Sequence, residues 1–509
     1  MNKAFFFCCV VFLTCVSYAQ TQRPNILFIF TDDHATNGIG AYGGRFASLN
    51  PTPTIDRLAR EGVLLHHVFV TNSICTPSRA TLMTGQYSHT NGIKTLIGSL
   101  TAERQTLANE MKKAGYETAL VGKWHLDAEP AAFDYYTVLP DQGSYFNPIF
   151  LERGANAYPN NVARVASYDS VHSEDAITDR SLRWLKERKE KSKPFFLMHH
   201  FKSPHDNFEN AERYDFLYEN VTMPEPESLW KRGNHGPVGQ PQFGTSVGKR
   251  NTRRNMGQHM FVDGKLDDEQ YKRTAYQRYM KKYFRCVKGL DDNIARLLTH
   301  LEQTGELDNT IIIYTSDQGF MLGEHDYIDK RWMYDESLRT PFIVRYPKLF
   351  KAGRVNDDII NNVDFAPTIL ELAGVKELPK QFQGRSFVSN LLGKTPSDWP
   401  TATYYRYWMN MAHHDNPAHY GIRTKTHKLI FFYGLPLDAK GALDTKTPAW
   451  LELYDLRKDP QEMNNVVTDP AYAETLAQLK AQLVSLKQRV GDTDEKYPDL
   501  LSVRERLWR

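Results

Sequence analysis

Residues Asn25–Asp33 read NILFIFTDD, and this stretch decides the fold. Its apolar run is continuous rather than alternating, which is typical of a strand buried on both faces of a parallel sheet. The run ends abruptly at Thr31, where two carboxylates follow. This change from apolar to acidic residues indicates a strand whose carboxyl end opens into a polar site.

Three further runs have the same character, namely Pro194–His199, Thr310–Thr315 and Phe342–Tyr346. Between the strands the apolar residues recur at helical spacing, which predicts helices over Thr54–Gly62, Ser78–Gly85, Thr106–Ala114, Asp175–Lys189 and Asp267–Gly305. Alternating strands and helices predict an α/β domain with a large, mostly parallel sheet flanked by helices. Because such sheets bind ligands beyond the carboxyl ends of their strands, we expect the polar residues there to form one site.

A smaller second unit is predicted after the sequence TPSD at residues 395–398. His419–Tyr433 and Trp450–Leu456 alternate as antiparallel strands do, and Tyr472–Val490 has the pattern of an amphipathic helix. The predicted domains are therefore a signal peptide at 1–19, a catalytic domain at 20–395 and a C-terminal α+β subdomain at 396–509. The C-terminal unit is expected to be an antiparallel sheet with a packed helix.

The signal peptide is indicated by Lys3, the apolar segment Ala4–Val16 and the small residues around Ala19, after which we expect cleavage. Export to the periplasm or the medium follows, and no membrane span is expected. Cleavage removes three of the five cysteines and leaves Cys75 and Cys286. Two cysteines do not make a disulfide framework, although a single bridge between them is conceivable.

The charge balance is nearly even, with 63 Lys and Arg against 60 Asp and Glu. Such a surface has no global field that would attract nucleic acid or an anionic membrane. Nucleic acid is therefore excluded as an expected partner, and any binding of anions must be local.

The most specific string is CTPSRA at residues 75–80, directly before a predicted helix. We expect Cys75 to lie on a loop at the helix N-terminus, where unpaired N–H groups favour an anion. Arg79, one turn into the helix, adds a forked guanidinium. A bare thiol in that field would be an activated nucleophile, whereas the alternative is a buried, inert cysteine.

With its context, this string resembles the C-x-P-S-R signature of the type I sulfatase family, in the alkaline-phosphatase-like superfamily. In that family the cysteine, here Cys75, is oxidised after translation to formylglycine (3-oxoalanine) by a maturation enzyme. The resemblance covers nearly the whole mature chain and includes Asn25–Asp33, Gly122–His125, Ser203–His205, Ser316–Gly319, Lys330–Pro341, Val363–Thr368 and Leu453–Leu456. The likeness is stronger to carbohydrate sulfatases, including the N-acetylglucosamine-6-sulfatase type, than to sulfatases of small substrates.

The resemblance implies that Asp32, Asp33, Asp317 and Gln318 are metal ligands, with the oxygen at position 75 completing the set. Three carboxylates and an amide carbonyl form a hard oxygen set that suits Ca²⁺ or Mg²⁺, and the resemblance favours Ca²⁺. Many relatives carry Asn at the position of Gln318, but the longer side chain keeps the carbonyl ligand. By itself, the pair at 32 and 33 would more often be a loop or a helix cap.

The resemblance also gives roles to the remaining site residues. Lys123 would contact the sulfate, and His125 would assist the formylglycine hydroxyls. If the strand after Ala119 continues, the two side chains point the same way. His205 and Lys330 would lie near the bridging oxygen, and the general acid would be one of them. Together with Cys75 and Arg79 these are the predicted catalytic residues.

The predicted function is hydrolysis of sulfate esters, on a sulfated carbohydrate such as an ulvan-type algal glycan, mucin or glycosaminoglycan. The aromatic stretch Tyr405–Trp408 and the candidate substrate-binding residues His413, His414 and His419 would form a wall of the cleft or, alternatively, a packed domain interface. Two other functions stay open: a phosphonate or phosphodiester hydrolase of the same superfamily, and a non-catalytic glycan-binding protein. The latter should have lost Cys75, Lys123 or Lys330, and all three are present.

Overall fold

The computed structural model describes residues 23–153, 163–166, 171–239, 242–248, 262 and 266–508. The predicted signal peptide lies outside these residues, as do residues 249–261 and 263–265. Among the residues described, no helix has the length and apolar character needed to cross a bilayer.

Eighteen strands are present in the described residues: β1 Asn25–Thr31, β2 Val63–Leu65, β3 Val68–Phe69, β4 Glu117–Lys123, β5 Tyr135–Leu139, β6 Ile149–Glu152, β7 Ala163–Ala166, β8 Phe195–His200, β9 Thr310–Ser316, β10 Met321–Leu322, β11 Ile328–Asp329, β12 Phe342–Arg345, β13 Arg354–Asn356, β14 Ile360–Asn361, β15 Ala402–Tyr407, β16 His419–Thr424, β17 His427–Phe432 and β18 Trp450–Asp455. The α-helices are α1 Pro53–Glu61, α2 Cys75–Thr84, α3 Ser88–Asn91, α4 Thr106–Lys113, α5 Ser173–Glu187, α6 Asp268–Gln303, α7 Asp335–Leu338, α8 Phe365–Leu372, α9 Val388–Leu391, α10 Ala473–Val490 and α11 Pro498–Trp508.

The main sheet has ten strands in the order β13-β2-β12-β9-β1-β8-β4-β5-β6-β7. Its centre, from β9 through β1, β8 and β4 to β5, is parallel throughout. This arrangement confirms the predicted α/β class with a large, mostly parallel sheet. It also brings the carboxyl ends of β1 and β9 side by side, since Thr31 pairs with Ser316.

Of the four predicted strands, one runs against the expectation, because β12 pairs antiparallel with both of its neighbours. A parallel return would need a crossover that carries the chain back to the opposite end of the sheet. Instead, residues 317–341 between β9 and β12 stay at the carboxyl end of β9, where only short elements form. The chain therefore enters β12 from the end of the sheet that holds the polar residues.

Apolar residues of β1 supply both faces of the sheet, as the continuous run predicts. Ile26, Phe28 and Phe30 pack in a cluster with α4 and α8, represented by Met111 and Ile369. Leu27 and Ile29 pack on the opposite face with α1, α5 and α6. Because both faces of β1 are covered by apolar side chains, the polar residues of this segment lie beyond its carboxyl end.

The C-terminal unit is a four-stranded antiparallel sheet in the order β15-β16-β17-β18, and α10 packs against it through Leu479 and Leu483. Antiparallel pairing and a packed helix are as predicted. The domain boundary at residues 395 and 396 stays a prediction. Cys286 is buried in α6 and Cys75 in α2, and both are free thiols, so the conceivable bridge between them is absent.

We predict that Gly122→Ala destabilises the fold strongly. Gly122 has φ +104°, and a Cβ there would lie 1.8 Å from the carbonyl oxygen of His200 on the adjacent β8. The strands must separate to accept the methyl group, so we expect a loss of about 3 kcal/mol or more in the free energy of unfolding, measured in urea.

Gly92→Ala is the matched control. Gly92 also has a positive φ, +77°, but a Cβ there would meet nothing within 4 Å. We expect its free energy of unfolding to fall by only about 1 kcal/mol, which is the cost of a left-handed backbone for alanine. Equal losses in the two variants would show that the contact with His200 is not what requires glycine.

Candidate active site

The carboxyl ends of β1 and β9 bring three acidic side chains together. Asp32 and Asp33 follow β1, and Asp317 follows β9. The backbone N–H of Asp33 donates to Asp317 Oδ1 at 3.1 Å, and the N–H of Asp317 donates to the Thr31 carbonyl at 3.1 Å. One carboxylate oxygen from each acid lies within 4.8 Å of the others, and all three residues are buried.

Cys75 lies at the same place, but as the first residue of α2 rather than on a preceding loop. Helix α2 therefore begins three residues earlier than predicted. The Cys75 Sγ is 3.5 Å from Asp32 Oδ1, and Gln318 Nε2 is 3.6 Å from the same sulfur. The five predicted metal-ligand positions thus converge from β1, α2 and β9.

Each carboxylate has its own cation. Arg79 binds Asp317 Oδ2 through Nε at 3.2 Å and Nη2 at 3.0 Å, and its Nη1 donates to the Lys123 carbonyl at 2.8 Å. Lys123 donates to Asp32 Oδ2, and Lys330 donates to Asp33 Oδ2 at 2.6 Å. The guanidinium of Arg79 also lies 5.0 Å from the centroid of the Phe30 ring.

The electrostatics of the acidic group match a cation site. Burial alone would raise the pKa of Asp32, but the charges of Lys123 and His205 outweigh it and hold that pKa well below its usual value. Burial and the charge of Asp32 raise the pKa of Asp317 well above its usual value. The buried carboxylates therefore repel one another, and a divalent cation bound between them would relieve that repulsion.

Gln318 supplies a second indication of a cation. Its Nε2 donates to Asp33 Oδ1 at 2.6 Å, whereas its Oε1 is buried and has no hydrogen-bond partner among the residues that the structure describes. A buried carbonyl without a partner is unfavourable unless something else binds it. Three carboxylates and this free carbonyl fit a hard divalent cation such as Ca²⁺ or Mg²⁺.

The thiol of Cys75 is not the activated group that a helix N-terminus alone would produce. Burial, followed by the negative charge of Asp32, raises its pKa well above the usual value, although Lys330 and Lys123 oppose the shift. The sequence-based expectation of an activated thiol is therefore wrong. It considered the helix and Arg79 and left out the carboxylate that lies in contact with the sulfur.

Lys123 and His125 share one partner, Gln142. Strand β4 ends at Lys123, and His125 has φ +55°, so the extended continuation that was assumed is absent. The two side chains nevertheless meet, because Lys123 Nζ donates to Gln142 Oε1 at 2.5 Å and His125 Nε2 lies 3.4 Å from Gln142 Nε2. Burial lowers the pKa of His125 to about 4, against the opposing effect of Asp141.

His205 and Lys330 face the acidic group from two other loops. His205 Nε2 is 3.8 Å from Asp33 Oδ2, the oxygen that Lys330 binds. The atoms of His205, Asp32 and Cys75 also come within 4.8 Å of one another. All six predicted catalytic residues therefore lie around one point.

The three candidate substrate-binding histidines lie in different surroundings. His414 Nε2 is 3.7 Å from Asp329 Oδ1, and Lys330 Nζ is 3.8 Å from the same oxygen, so His414 lies beside the catalytic group. His413 is exposed on the same turn. His419 is fully buried among aromatic rings, with the Phe432 ring centroid 4.8 Å away.

The aromatic stretch on β15 forms a packed interface rather than an open wall. The hydroxyl of Tyr405 donates to the Arg331 carbonyl at 2.6 Å and accepts from the Ser73 N–H at 3.4 Å. The C-terminal sheet thereby contacts both the segment before Cys75 and the segment that presents Lys330. This contact makes the smaller unit part of the framework of the site.

Three residues in contact with the site were missed from the sequence. Asp206 contacts the His205 ring, Asp329 contacts Lys330, and Gln142 joins Lys123 to His125. Asp206 and Asp329 each adjoin a predicted catalytic residue, and that adjacency was a usable signal. Gln142 follows the end of β5 in an ordinary polar turn, PDQG, which carries no signal.

Comparison with known proteins agrees with this geometry. The sulfatase family model matches residues 24–375, and the model of the C-terminal region of N-sulphoglucosamine sulphohydrolase matches residues 323–489. The chain belongs to the sulfatase family and is an enzyme of the sulfuric ester hydrolase class.

Among its relatives, an N-acetylglucosamine-6-O-sulfatase of Bacteroides thetaiotaomicron is 38% identical over 93% of this chain and 88% of its own length. An ulvan-active sulfatase of Formosa agariphila is 26% identical over 96% of this chain and 78% of its own. A solved structure in complex with its substrate D-glucosamine-2-N,6-O-disulfate has a TM-score of 0.82 and 36% identity, and covers 94% of this chain and 99% of that one. A phosphonate monoester hydrolase from Silicibacter pomeroyi shares the fold at a TM-score of 0.72 and 22% identity, covering 92% of this chain and 96% of its own.

We predict that Arg79→Gln destabilises the protein. The buried Asp317 carboxyl would lose its forked partner, and the uncompensated group is expected to lower the free energy of unfolding by about 3 kcal/mol. Urea unfolding without added divalent cations measures the loss.

Arg345→Gln is a control, because Arg345 pairs with Glu61 and Asp308, whose side chains are 38% and 71% exposed. Its loss should be at most about 1 kcal/mol. If Arg79→Gln lowers the free energy of unfolding no more than Arg345→Gln does, the acidic group does not depend on the Arg79 guanidinium.

Proposed function

We propose that this enzyme hydrolyses sulfate esters on carbohydrates, with 6-O-sulfated glucosamine-type residues as the favoured substrate. The observation that supports it most is that all six predicted catalytic residues lie together around Cys75, in a chain 38% identical to an N-acetylglucosamine-6-O-sulfatase. The weaker similarity to ulvan-active sulfatases makes algal glycans the second candidate substrate.

The nucleophile we propose is a formylglycine hydrate formed from Cys75. An exported thiol with a raised pKa is a poor nucleophile, whereas a geminal diol offers one hydroxyl to attack sulfur and a second to drive collapse to the aldehyde. The collapse expels sulfate, an exit that an ordinary serine lacks. The oxidation requires a formylglycine-generating enzyme, which is therefore a proposed partner.

Arg79, Lys123 and Lys330 would surround the sulfate and stabilise charge as it develops. His205 is the better general acid of the two candidates. Lys330 Nζ donates to Asp33 Oδ2 at 2.6 Å and lies 3.8 Å from Asp329 Oδ1, so carboxylates already engage its ammonium, whereas His205 Nε2 is 3.8 Å from Asp33 Oδ2. His205 instead would donate to the bridging oxygen and let the sugar leave as a neutral alcohol.

The cation would be held by Asp32, Asp33, Asp317 and Gln318 with the oxygen at position 75, and Ca²⁺ is favoured over Mg²⁺. When bound, it supplies positive charge beside the sulfate. Export to the periplasm or medium, after cleavage at Ala19, belongs to the same proposal, as does the division at residue 395. On the substrate side, His413 and His414 remain proposed contacts, and the burial of His419 supports a packing role instead.

We predict that Cys75→Ala abolishes turnover and leaves the fold intact, because the side chain fills little space and makes only weak sulfur contacts. Cys75→Ser should behave in the same way in a host that matures only cysteine. Mass spectrometry of the peptide containing residue 75 should find the aldehyde or its hydrate in active protein. Full activity in either variant, or an active preparation that carries only the thiol, would sink the formylglycine mechanism.

We predict that chelation lowers both activity and the melting temperature, and that Ca²⁺ restores both. Gln318→Leu should weaken Ca²⁺ affinity about 10- to 100-fold, measured by calorimetry, because it removes the one carbonyl ligand. Gln318→Asn, which keeps a carbonyl, is the matched control and should lose less. Equal affinity in Gln318→Leu and the unaltered protein would exclude this residue as a ligand.

The substrate is tested with defined sulfated oligosaccharides, by asking which one loses the mass of SO₃. Parallel turnover of an aryl sulfate and an aryl phosphonate separates this proposal from a phosphonate or phosphodiester hydrolase. Binding of the glycan without any turnover would indicate the non-catalytic alternative. Preferred release of sulfate from glucosamine 6-sulfate units is the expected result.

A further inference from the structure

His205 projects from a loop, residues 202–208, whose backbone is fixed at several points. The His205 N–H donates to the Lys202 carbonyl at 3.2 Å, and the Phe208 N–H donates to the His205 carbonyl at 3.2 Å. The hydroxyl of Tyr145 donates to that carbonyl as well. The Phe208 ring is buried 5.3 Å from the Tyr279 ring centroid, so the far end of the loop is anchored in the core.

The imidazole of His205 has two different surroundings. Its Nδ1 lies 2.7 Å from the backbone carbonyl of Asp206 and is also in contact with the Asp206 carboxylate. Its Nε2 lies on the other side, 3.8 Å from Asp33 Oδ2. Only the Nε2 side therefore faces the catalytic group.

Both neighbours of Nδ1 are hydrogen-bond acceptors, so Nδ1 must carry a proton. Burial would raise the pKa of Asp206, but the charges of His205 and Lys330 outweigh it and hold that pKa below its usual value. A carboxylate at Nδ1 fixes the tautomer, orients the ring and stabilises the imidazolium, which is the role of the aspartate in serine-hydrolase triads.

We propose that Asp206 is a positioning residue that aims the proton of His205 Nε2 at the bridging oxygen of the sulfate ester. The inference rests on the proposed function, because it assigns His205 as general acid. The hydroxyl proposed at residue 75 bonds to sulfur and gives its proton to a carboxylate of the acidic group, while the bond between sulfur and the bridging oxygen breaks. The electron pair of that bond goes to the bridging oxygen, which takes the Nε2 proton. The sugar leaves as an alcohol, His205 becomes neutral with its remaining proton on Nδ1, and solvent returns the proton to Nε2.

A positioning role predicts a dependence on the leaving group. The alcohol of N-acetylglucosamine 6-sulfate is a poor leaving group and needs the proton, whereas the phenol of 4-nitrophenyl sulfate leaves without it. Asp206→Asn in the matured full-length enzyme should lower kcat for the sugar sulfate about 100-fold or more, the size of a general-acid contribution. On 4-nitrophenyl sulfate the loss should be under about tenfold, and KM should change little for either substrate.

Three variants complete the test. His205→Ala should show the same dependence on the leaving group. Asp206→Glu, which keeps the carboxylate, should recover part of the lost kcat on the sugar sulfate. Asp215→Asn removes a carboxylate nearby in the chain that accepts a hydrogen bond from Asn210 Nδ2 at 2.9 Å, and it should leave both activities unchanged. Equal losses on both substrates in Asp206→Asn would overturn the proposal, because a merely structural defect affects both alike.

A spectroscopic measurement that does not depend on turnover distinguishes a failure of this proposal from a failure of the proposed function. The ¹⁵N resonances of the imidazole, assigned to His205 by comparison with His205→Gln, show which ring nitrogen carries the proton. Protonated Nδ1 in the unaltered enzyme supports the proposal, and Nδ1 as the bare nitrogen overturns it. Cys75→Ala reports separately on the nucleophile, since its loss of activity should be complete on both sulfates.

Discussion

The structure depends on the burial of three carboxylates at the ends of two adjacent strands. Asp32, Asp33 and Asp317 lie where β1 and β9 end, and each is fully buried. Such a group cannot remain charged inside a protein without cations, because the loss of hydration far exceeds what a single neutral hydrogen bond returns. The cations Arg79, Lys123 and Lys330 come from α2, β4 and the segment 317–341, so the same charges that assemble the site also join distant parts of the chain.

The frame of the site was predictable because its signals are local. The continuous apolar run of β1 and its abrupt acidic end correctly indicated a doubly covered strand that opens into a site. The same logic placed Asp317 and Gln318 after β9. Because β1 and β9 are parallel neighbours and Thr31 pairs with Ser316, the residues that follow the two strands must lie next to each other.

The parts that could not be predicted depend on contacts that sequence spacing does not contain. The direction of β12 is set by how the segment 317–341 occupies the carboxyl end of the sheet, and the apolar run FIVRY is compatible with either direction. The left-handed backbone at Asp33, His125 and Asp329 could not be predicted from the sequence either, since none of these residues is glycine. Non-glycine residues adopt such angles only when surrounding contacts compensate for the strain, and here they adjoin the cations Lys123 and Lys330.

The error about Cys75 has a useful physical consequence. A helix N-terminus and a nearby guanidinium favour an anion, but Asp32 and burial favour the neutral thiol more strongly. Surroundings that suppress a thiolate do not disfavour an uncharged hydroxyl, which needs no stabilisation of charge before the substrate arrives. The surroundings of residue 75 thus disfavour a thiolate, and they are compatible with the neutral diol proposed there beside a divalent cation whose charge would offset the carboxylates. The proposed exchange of sulfur for oxygen at residue 75 and the proposed binding of a cation would then be matched requirements of one electrostatic arrangement.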